Sequence, residues 1–228
     1  MNEKEMQRII VGVGGFSSNS GKTTLMCELL RAFGGWEAIK LTRGHYRSCG
    51  KDPHACCVSH LLSDEPSLRT GRAETYARGK DTGRYWDAGA SNVHWVIATD
   101  KQVERGIKDA LGRVRAAGVF VESNSFLKYT DADFVIIAAR TDGEKIKPTA
   151  RRALERASAI YLFDEGDGDE SGASARARFE AWLRESGQDG LIGDVPVYTR
   201  RDLASLVARV REAVGARRSS LEGTGVSG

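Results

Sequence analysis

A lysine followed by two threonines lies where a glycine-rich segment meets the start of a predicted helix. The segment reads GGFSSNSGKTTL and spans residues 14–25. The backbone amides of such a loop turn inward and cradle an anion, and the helix N-terminus adds its positive dipole end. We expect Lys22 to reach the β- and γ-phosphates of a nucleotide, and the Thr23 hydroxyl to bind Mg²⁺. The predicted phosphate-binding residues are Ser18, Asn19, Ser20, Gly21, Lys22, Thr23 and Thr24.

This loop departs from the P-loop pattern at one position. The pattern places four residues between its two glycines, whereas five residues separate Gly15 from Gly21. Phe16 therefore stands where the first glycine is expected. Because Gly21, Lys22 and Thr23 make most of the direct contacts in such loops, we still expect this one to bind phosphate.

Two carboxylates are candidates for the magnesium ion that accompanies a bound nucleotide. Mg²⁺ prefers oxygen ligands, usually one or two carboxylates together with phosphate oxygens and waters. Glu122 ends a predicted buried strand, at the sheet edge where ligands gather in open α/β folds; the alternative is an ordinary solvated carboxylate. Asp81 is the second candidate, and it could also cap the helix that follows.

Lys40 ends another predicted strand. It is expected to contact the γ-phosphate or an anionic substrate, unless it is simply a solvated lysine. The predicted catalytic residues are therefore Lys22, Lys40 and Glu122.

Thiol and imidazole side chains cluster within sixteen positions beyond the second strand. Together they suit zinc, nickel or an iron–sulfur centre. The spacing is not that of paired CxxC motifs, so a surface loop with reduced thiols is the alternative. The candidate ligands of a transition metal are His45, Cys49, His54, Cys56, Cys57 and His60.

Apolar runs of strand length alternate with amphipathic segments of helical length. The predicted strands are 9–13, 38–41, 92–98, 119–121, 134–139, 159–163 and 195–198, and the predicted helices are 24–33, 57–62, 81–89, 101–116, 148–157, 179–184 and 202–214. This alternation predicts an α/β fold of the three-layer P-loop NTPase type, with a mostly parallel sheet and helices on both faces. We expect one domain over 1–218, an irregular excursion over 42–80, and a disordered tail over 219–228.

Composition narrows the class of function. The net charge is only +3, from 34 basic and 31 acidic side chains, which argues against a nucleic-acid-binding protein. No apolar run approaches the ~18–20 residues of a membrane span, and residues 1–8 lack the apolar core of a secretory signal. We therefore expect a cytoplasmic protein with no membrane partner, whose cysteines are thiols.

A second segment of the sequence points to a particular protein family. The sequence GKDTGRYWDAGA over residues 79–90 resembles the MobB-type adaptor of molybdopterin-guanine dinucleotide biosynthesis. In that family a P-loop is followed by a strand that ends in lysine and by a histidine-containing loop. A GKDS-type motif and the sequence AGA come next. The strand with Glu122 looks like the family's next strand. The residues at matching positions are Lys40, His45, Gly79, Lys80, Asp81, Thr82, Arg84, Ala88, Gly89 and Ala90. The chain departs from the family in having Leu-Thr-Arg-Gly-His after Lys40 and Ser-Asn-Ser-Phe after Glu122.

The resemblance implies a nucleotide-binding accessory protein, often a homodimer, with slow GTP hydrolysis. Such a protein assists a partner enzyme that attaches a nucleotide to molybdopterin. The base stays open between GTP and ATP, because the guanine-selecting Asn/Thr-Lys-x-Asp pattern is absent at 139–142.

Three alternatives stay open. The Cys/His cluster is compatible with a metallochaperone-type GTPase that loads nickel into enzymes. Lys40 could instead contact the substrate of an ATP-dependent enzyme resembling dethiobiotin synthetase. A regulatory module that binds nucleotide without hydrolysing it is the third.

Overall fold

The β-branched run near the start of the chain forms the strand β1, Ile9–Gly15, inside a mixed sheet. The computed structural model describes residues 8–45, 58–143, 145–163 and 172–223. Within these residues the sheet has eight strands in the order β3-β4-β2-β5-β1-β6-β7-β8, all parallel except for β3, which is antiparallel to β4. The other strands are β2 Glu37–Arg43, β3 Ser67–Thr70, β4 Val93–Ala98, β5 Gly118–Glu122, β6 Phe134–Arg140, β7 Ala159–Phe163 and β8 Val197–Tyr198.

Helices cover both faces of the sheet, as its buried strands require. One face is packed by α1 Lys22–Ala32, α3 Asp81–Asp87 and α7 Leu203–Gly223, the other by α4 Val103–Arg113, α5 Pro148–Leu154 and α6 Gly172–Glu185. A short helix, α2 Arg72–Thr75, follows β3. Short 3₁₀ turns lie at Ser59–Leu61, Ser125–Lys128 and Arg200–Asp202. The predicted three-layer α/β fold is confirmed.

The excursion predicted over 42–80 is more ordered than expected wherever the structure describes it. Strand β2 continues to Arg43, and β3 adds an antiparallel edge strand. The sequence pattern missed β3 because its four residues are all half-buried and show no apolar alternation. The helix predicted over 57–62 is only a 3₁₀ turn, Ser59–Leu61, in its described part.

Two C-terminal helices also extend beyond their predicted bounds. Helix α6 begins at Gly172 rather than at residue 179, and α7 continues to Gly223 instead of ending at residue 214. The first five residues of the expected tail, 219–223, are therefore helical, and 224–228 lie outside the described residues. No helix in the described ranges is both long enough and apolar enough to cross a bilayer.

The parallel strands bring the predicted site residues to one edge of the sheet. Strand β1 lies between β5 and β6, and β5 also pairs with β2. Lys40 of β2 is the direct cross-strand partner of Glu122 of β5. The loop after β1 leaves the sheet at this same edge, so three distant segments meet there.

Candidate functional site

The unexpected phenylalanine in the phosphate loop is a core residue. Phe16 is completely buried, and its ring packs against Phe179 and Trp182 of α6 at centroid distances of 6.0 and 6.2 Å. Its amide donates to the carbonyl of Ala138 (3.0 Å), and its carbonyl accepts from the amide of Lys147 (3.0 Å). The Phe16 amide thus extends the pairing of β1 with β6 by one hydrogen bond, and the chain leaves the sheet only after this residue. This explains why the loop does not need the first glycine of the pattern at the position of Phe16.

The second glycine of the pattern has a strict steric role. Gly21, just before α1, has a left-handed backbone with φ of 81°, a conformation that residues with a Cβ rarely adopt. A Cβ at this position would also lie 2.2 Å from the ring of Phe163. Two independent restraints therefore require glycine here.

The side chain of Lys22 lies along the loop that it follows. Its ammonium donates to the carbonyls of Ser17 (2.5 Å) and Ser18 (3.3 Å) and to the hydroxyl of Ser20 (3.4 Å). Ser20 in turn donates to the carbonyl of Ser17 (3.2 Å) and is fully buried. These bonds tie the Lys22 ammonium and the Ser20 hydroxyl to the backbone of the loop.

A cavity of about 600 Å³ lies over this loop. Its wall includes Lys22, Thr23, Lys40, Asp81 and Glu122. All the predicted catalytic residues and both predicted magnesium carboxylates therefore line one space. A cavity of this size is typical of a small-molecule site.

Four side chains in the wall of the cavity form a connected polar group. The Thr23 hydroxyl donates to Glu122 Oε2 at 3.1 Å and also hydrogen-bonds with Asp81. The Lys40 ammonium is ion-paired with Asp81 at 2.8 Å and with Glu122. The side chain of Glu122 is only 2% exposed. The structure thus brings together Thr23, Asp81 and Glu122, the three residues predicted to hold magnesium.

Charge pairing shifts the pKa values of this group. Burial alone would lower the pKa of Lys40, but Glu122 and Asp81 outweigh it and raise that pKa above its ordinary value. Burial would likewise raise the pKa of Asp81, but the charge of Lys40 and the hydrogen bonds from Lys40 and Thr23 lower it. At neutral pH the ammonium is therefore charged and the Asp81 carboxylate is ionised.

Two further residues on α3 support the group, and the sequence patterns did not single out their roles. The hydroxyl of Tyr85 donates to Glu122 Oε2, and burial together with Glu122 raises the Tyr85 pKa well above its usual range, which keeps the phenol protonated. Arg84 donates to the Thr24 hydroxyl at 3.2 Å and so ties α3 to α1. Asp81 begins α3 after the N-cap residue Lys80, so it is not itself the cap.

Asn124 joins the phosphate loop to the segment after β5, and sequence reasoning missed it. Its side-chain oxygen accepts from the Gly15 amide and its amide donates to the Gly15 carbonyl, both at 2.8 Å. A Cβ at Gly14 would lie 2.3 Å from the Asn124 oxygen, so the glycine permits this close approach. The polar run Ser123–Asn124–Ser125 directly after a buried strand was the only sequence feature pointing here.

Lys147 is a second lysine at the loop that the sequence analysis did not select. Its ammonium donates to the Ser18 hydroxyl at 2.7 Å, and it lines the cavity over the loop. It precedes α5 and is far from the loop in sequence. No local pattern could have identified it.

Four of the six predicted transition-metal ligands, Cys49, His54, Cys56 and Cys57, lie outside the described residues. Of the other two, His45 is exposed just after β2, and His60 is exposed in the 3₁₀ turn. Within the described ranges no group of three or more His, Cys, Asp or Glu side chains is arranged to hold a metal ion. The cluster therefore stays a prediction from sequence.

Comparison with known proteins identifies the fold. No protein-family model and no curated protein matches the sequence. HypB from Helicobacter pylori in complex with nickel resembles the structure with a TM-score of 0.52 at 13% identity, covering 93% of this chain and 89% of that one. This likeness, together with the mostly parallel sheet, places the chain in the P-loop NTPase fold.

Two other solved structures resemble the chain with lower scores. LpxK from Aquifex aeolicus in complex with ATP has a TM-score of 0.43 at 15% identity, covering 85% of this chain and 71% of that one. A Zn(II)-bound triple mutant of the YjiA GTPase has a TM-score of 0.41 at 15% identity, covering 84% and 57%.

Proposed function

We propose that this protein binds a nucleoside triphosphate with Mg²⁺ in the cavity over the phosphate loop and hydrolyses it slowly. The observation that supports this most directly is the meeting of Lys22 and Thr23 with Asp81 and Glu122 around one cavity of about 600 Å³. A lysine, a threonine hydroxyl and carboxylates in this arrangement are what the phosphates and metal of a nucleotide require.

The donor atoms around Lys40 fit a magnesium ion. The hydroxyl of Thr23 and the carboxylates of Asp81 and Glu122 are hard oxygen donors of the kind that Mg²⁺ prefers. Lys40 already places a positive charge between the two carboxylates, so the site is built for a cation. When bound, magnesium would neutralise charge on the phosphates. The protein's own part is to supply Thr23, Asp81 and Glu122 as ligands.

Slow rather than fast hydrolysis follows from how the carboxylates are engaged. Among the described residues, the two acidic side chains that line the cavity are Asp81 and Glu122, and both are ion-paired with Lys40. When Mg²⁺ replaces Lys40, both carboxylates become ligands of the metal, so in neither state is one of them free to act as a base on an attacking water. We expect a turnover number below the ordinary enzymatic range of about 1–1,000 s⁻¹.

Calorimetric titration with GTP and with ATP, each with Mg²⁺, tests the proposal. We expect a Kd in the micromolar range, about 1–100 μM, for at least one of them. Release of inorganic phosphate, measured on the same preparation, then gives the turnover. Absence of binding by both nucleotides would refute the proposed function.

The finer role that we propose is that of an accessory protein in molybdenum-cofactor assembly. It is supported by the resemblance of residues 79–90 to MobB-type adaptors and by the position of Asp81, from that segment, in the cavity. The family also suggests a homodimer and a partner enzyme. Light scattering tests the dimer, and a nucleotide-dependent pull-down with a molybdopterin nucleotidyltransferase tests the partner.

A metallochaperone-type role is the second candidate. It is supported by the Cys/His cluster and by the likeness in fold to HypB, which was crystallised with nickel. Metal analysis of protein purified without a histidine tag tests this role. Stoichiometric zinc or nickel, lost when Cys56 and Cys57 are both changed to serine, would favour it over the molybdenum-cofactor role.

A further inference from the structure

A second cavity, of about 340 Å³, adjoins the one over the phosphate loop. The two cavities share wall residues, namely Arg43, Asn124, Ser125 and Thr149. Small-molecule sites typically measure about 300–1,000 Å³, so the second cavity has room for a small organic molecule. Such a molecule would lie directly beside the space assigned to the nucleotide.

The inner wall of this second cavity is apolar. Val103 of α4, Leu127 of the 3₁₀ turn after β5 and Ala153 of α5 line it, with exposures of 2%, 4% and 1%. The half-buried ring of Tyr129 extends the same surface. A carbon skeleton placed against this wall would be removed from water, which favours binding in proportion to the apolar area covered.

The rim of the cavity has more positive than negative charge. Among the residues that the structure describes, it carries four cationic side chains and two carboxylates: Arg43, Lys128, Arg152 and Arg156, with Asp100 and Glu155. Arg43 is ion-paired with Asp100 at 2.8 Å, and Arg156 with Asp131, which lies outside the cavity lining. Two of the four cations therefore already have carboxylate partners.

The other two cations are available to a ligand. Within the described part of the chain, neither Lys128 nor Arg152 forms an ion pair, and both side chains are exposed. The Lys128 ammonium lies 5.1 Å from the centre of the Tyr129 ring, at the boundary between the apolar wall and the rim. A carboxylate or similar acid at this boundary would meet charge on one side while its skeleton contacts the wall.

We propose that this cavity binds a second ligand, a small organic anion with an apolar body. The body lies against Leu127, Tyr129 and Ala153, and the acid group lies at Lys128 and Arg152. The inference rests on the proposed function only in placing a nucleotide beside this ligand.

The test uses 2-naphthoate as the probe, since it is an aromatic carboxylate small enough for the cavity. The probe is titrated into the full chain with and without Mg-ADP, and binding is followed by ligand-observed NMR. We expect a Kd of about 1 mM or tighter for the wild type, and an affinity about tenfold lower for the Lys128→Ala/Arg152→Ala double variant. The neutral analogue 2-naphthamide should bind about tenfold more weakly than 2-naphthoate.

Arg151→Ala is the matched control. Arg151 precedes Arg152 on α5, is exposed, and donates to Gln188 at 2.8 Å instead of lining the cavity. Its removal should leave the affinity for 2-naphthoate unchanged. Both variants alter exposed side chains, so the fold should be retained.

Two results would overturn the inference: no saturable binding up to about 10 mM probe, or equal affinities for the wild type and the double variant. Binding of ADP measured in the same samples separates this failure from that of the proposed function. If ADP binds and 2-naphthoate does not, only the second site is wrong. If 2-naphthoate binds, and binds more weakly to the double variant, while neither ADP nor a triphosphate binds, the anion site is supported. The proposal of a nucleotide site then fails.

Discussion

Lys40 and Glu122 are direct partners across strands β2 and β5, and their side chains form an ion pair at the carboxyl edge of the sheet. The same ammonium also pairs with Asp81 at 2.8 Å. It therefore lies between the two carboxylates proposed to bind magnesium. A divalent cation that takes both carboxylates has to displace Lys40 from them. The displaced lysine would then be free to contact the phosphates.

Replacing Lys40 with methionine should tighten the binding of a divalent cation in the absence of nucleotide. Methionine keeps much of the side-chain volume but removes the charge that competes with the metal. We predict an increase of about tenfold or more in the affinity for Mn²⁺, measured by electron paramagnetic resonance as the loss of free Mn²⁺ signal.

Lys80→Met is the control for this effect. Lys80 is exposed and directly precedes α3, so its loss changes the net charge equally without touching the carboxylates. The control should bind Mn²⁺ as the wild type does. Should Lys40→Met bind Mn²⁺ no better than Lys80→Met, Lys40 does not compete for the metal site.

Changes in the phosphate loop should separate nucleotide binding from metal binding. We predict that Lys22→Ala lowers nucleotide affinity about a hundredfold, because it removes a charge-assisted contact to phosphate and the bonds that shape the loop. Thr23→Ala should instead abolish the gain in affinity that Mg²⁺ gives. Titrations with and without EDTA measure both effects, and the exposed Lys101→Ala serves as the unaffected control.

Asn124 should matter to stability as well as to binding. It makes two hydrogen bonds of 2.8 Å with the backbone of Gly15. Asn124→Ala leaves that amide and that carbonyl without their partner, so we predict a loss of about 1–3 kcal/mol in the free energy of unfolding. Nucleotide affinity should fall as well, since β1 leads directly into the phosphate loop.

The neighbouring Ser125→Ala is a suitable comparison in urea denaturation, because no hydrogen bond from the Ser125 hydroxyl is seen in the described part of the chain. It should change the unfolding free energy by no more than about 0.5 kcal/mol. Equal stabilities of the two variants would show that Asn124 does not hold the strand.

The sequence predicted the parts of this molecule that depend on local pattern. The phosphate loop between β1 and α1 is visible in one stretch, because its glycines, lysine and threonines are contiguous. The central strands are rich in β-branched and other apolar residues, as buried parallel strands require. Glu122 could be proposed for the site because parallel strands end at a common edge.

What the sequence missed depends on contacts between distant segments. Tyr85 reaches Glu122 across 37 positions, and Lys147 reaches Ser18 across 129. No periodicity in the sequence indicates such a pairing. The edge strand β3 was missed for a different reason: pairing on one side only leaves Ser67–Thr70 half-buried, and its composition does not differ from that of a loop.

A final prediction concerns a buried ionisable pair at the opposite edge of the sheet. Glu37, at the start of β2, lies 2.7 Å from His94 Nε2 and accepts bonds from the amides of Arg115 and Ala116 at 2.7 and 2.8 Å. His94 is fully buried and also contacts the Thr70 hydroxyl at 3.1 Å. These bonds tie three strands to the loop that precedes β5.

The pKa of Glu37 sets the sign of its pH effect. Burial alone would raise this pKa, but the bond to His94 and the two backbone amides lower it below its ordinary value. A group with a lowered pKa in the folded state stabilises the fold above its unfolded pKa, about 4.3 for glutamate. That contribution to stability is lost as the pH falls from about 5 through the lowered pKa of Glu37 in the folded state.

We therefore predict that Glu37→Gln is less stable than the wild type at pH 7, by about 1–3 kcal/mol, and that the difference shrinks as the pH falls below about 5. Urea denaturation of both proteins between pH 7 and pH 3.5 measures it, with the exposed Glu104→Gln as the control. Glutamine cannot titrate, so the variant lacks the part of the acid-induced loss of stability that arises from Glu37. If the stability curves of wild type and Glu37→Gln run parallel over this range, the carboxylate does not stabilise the fold through its charge.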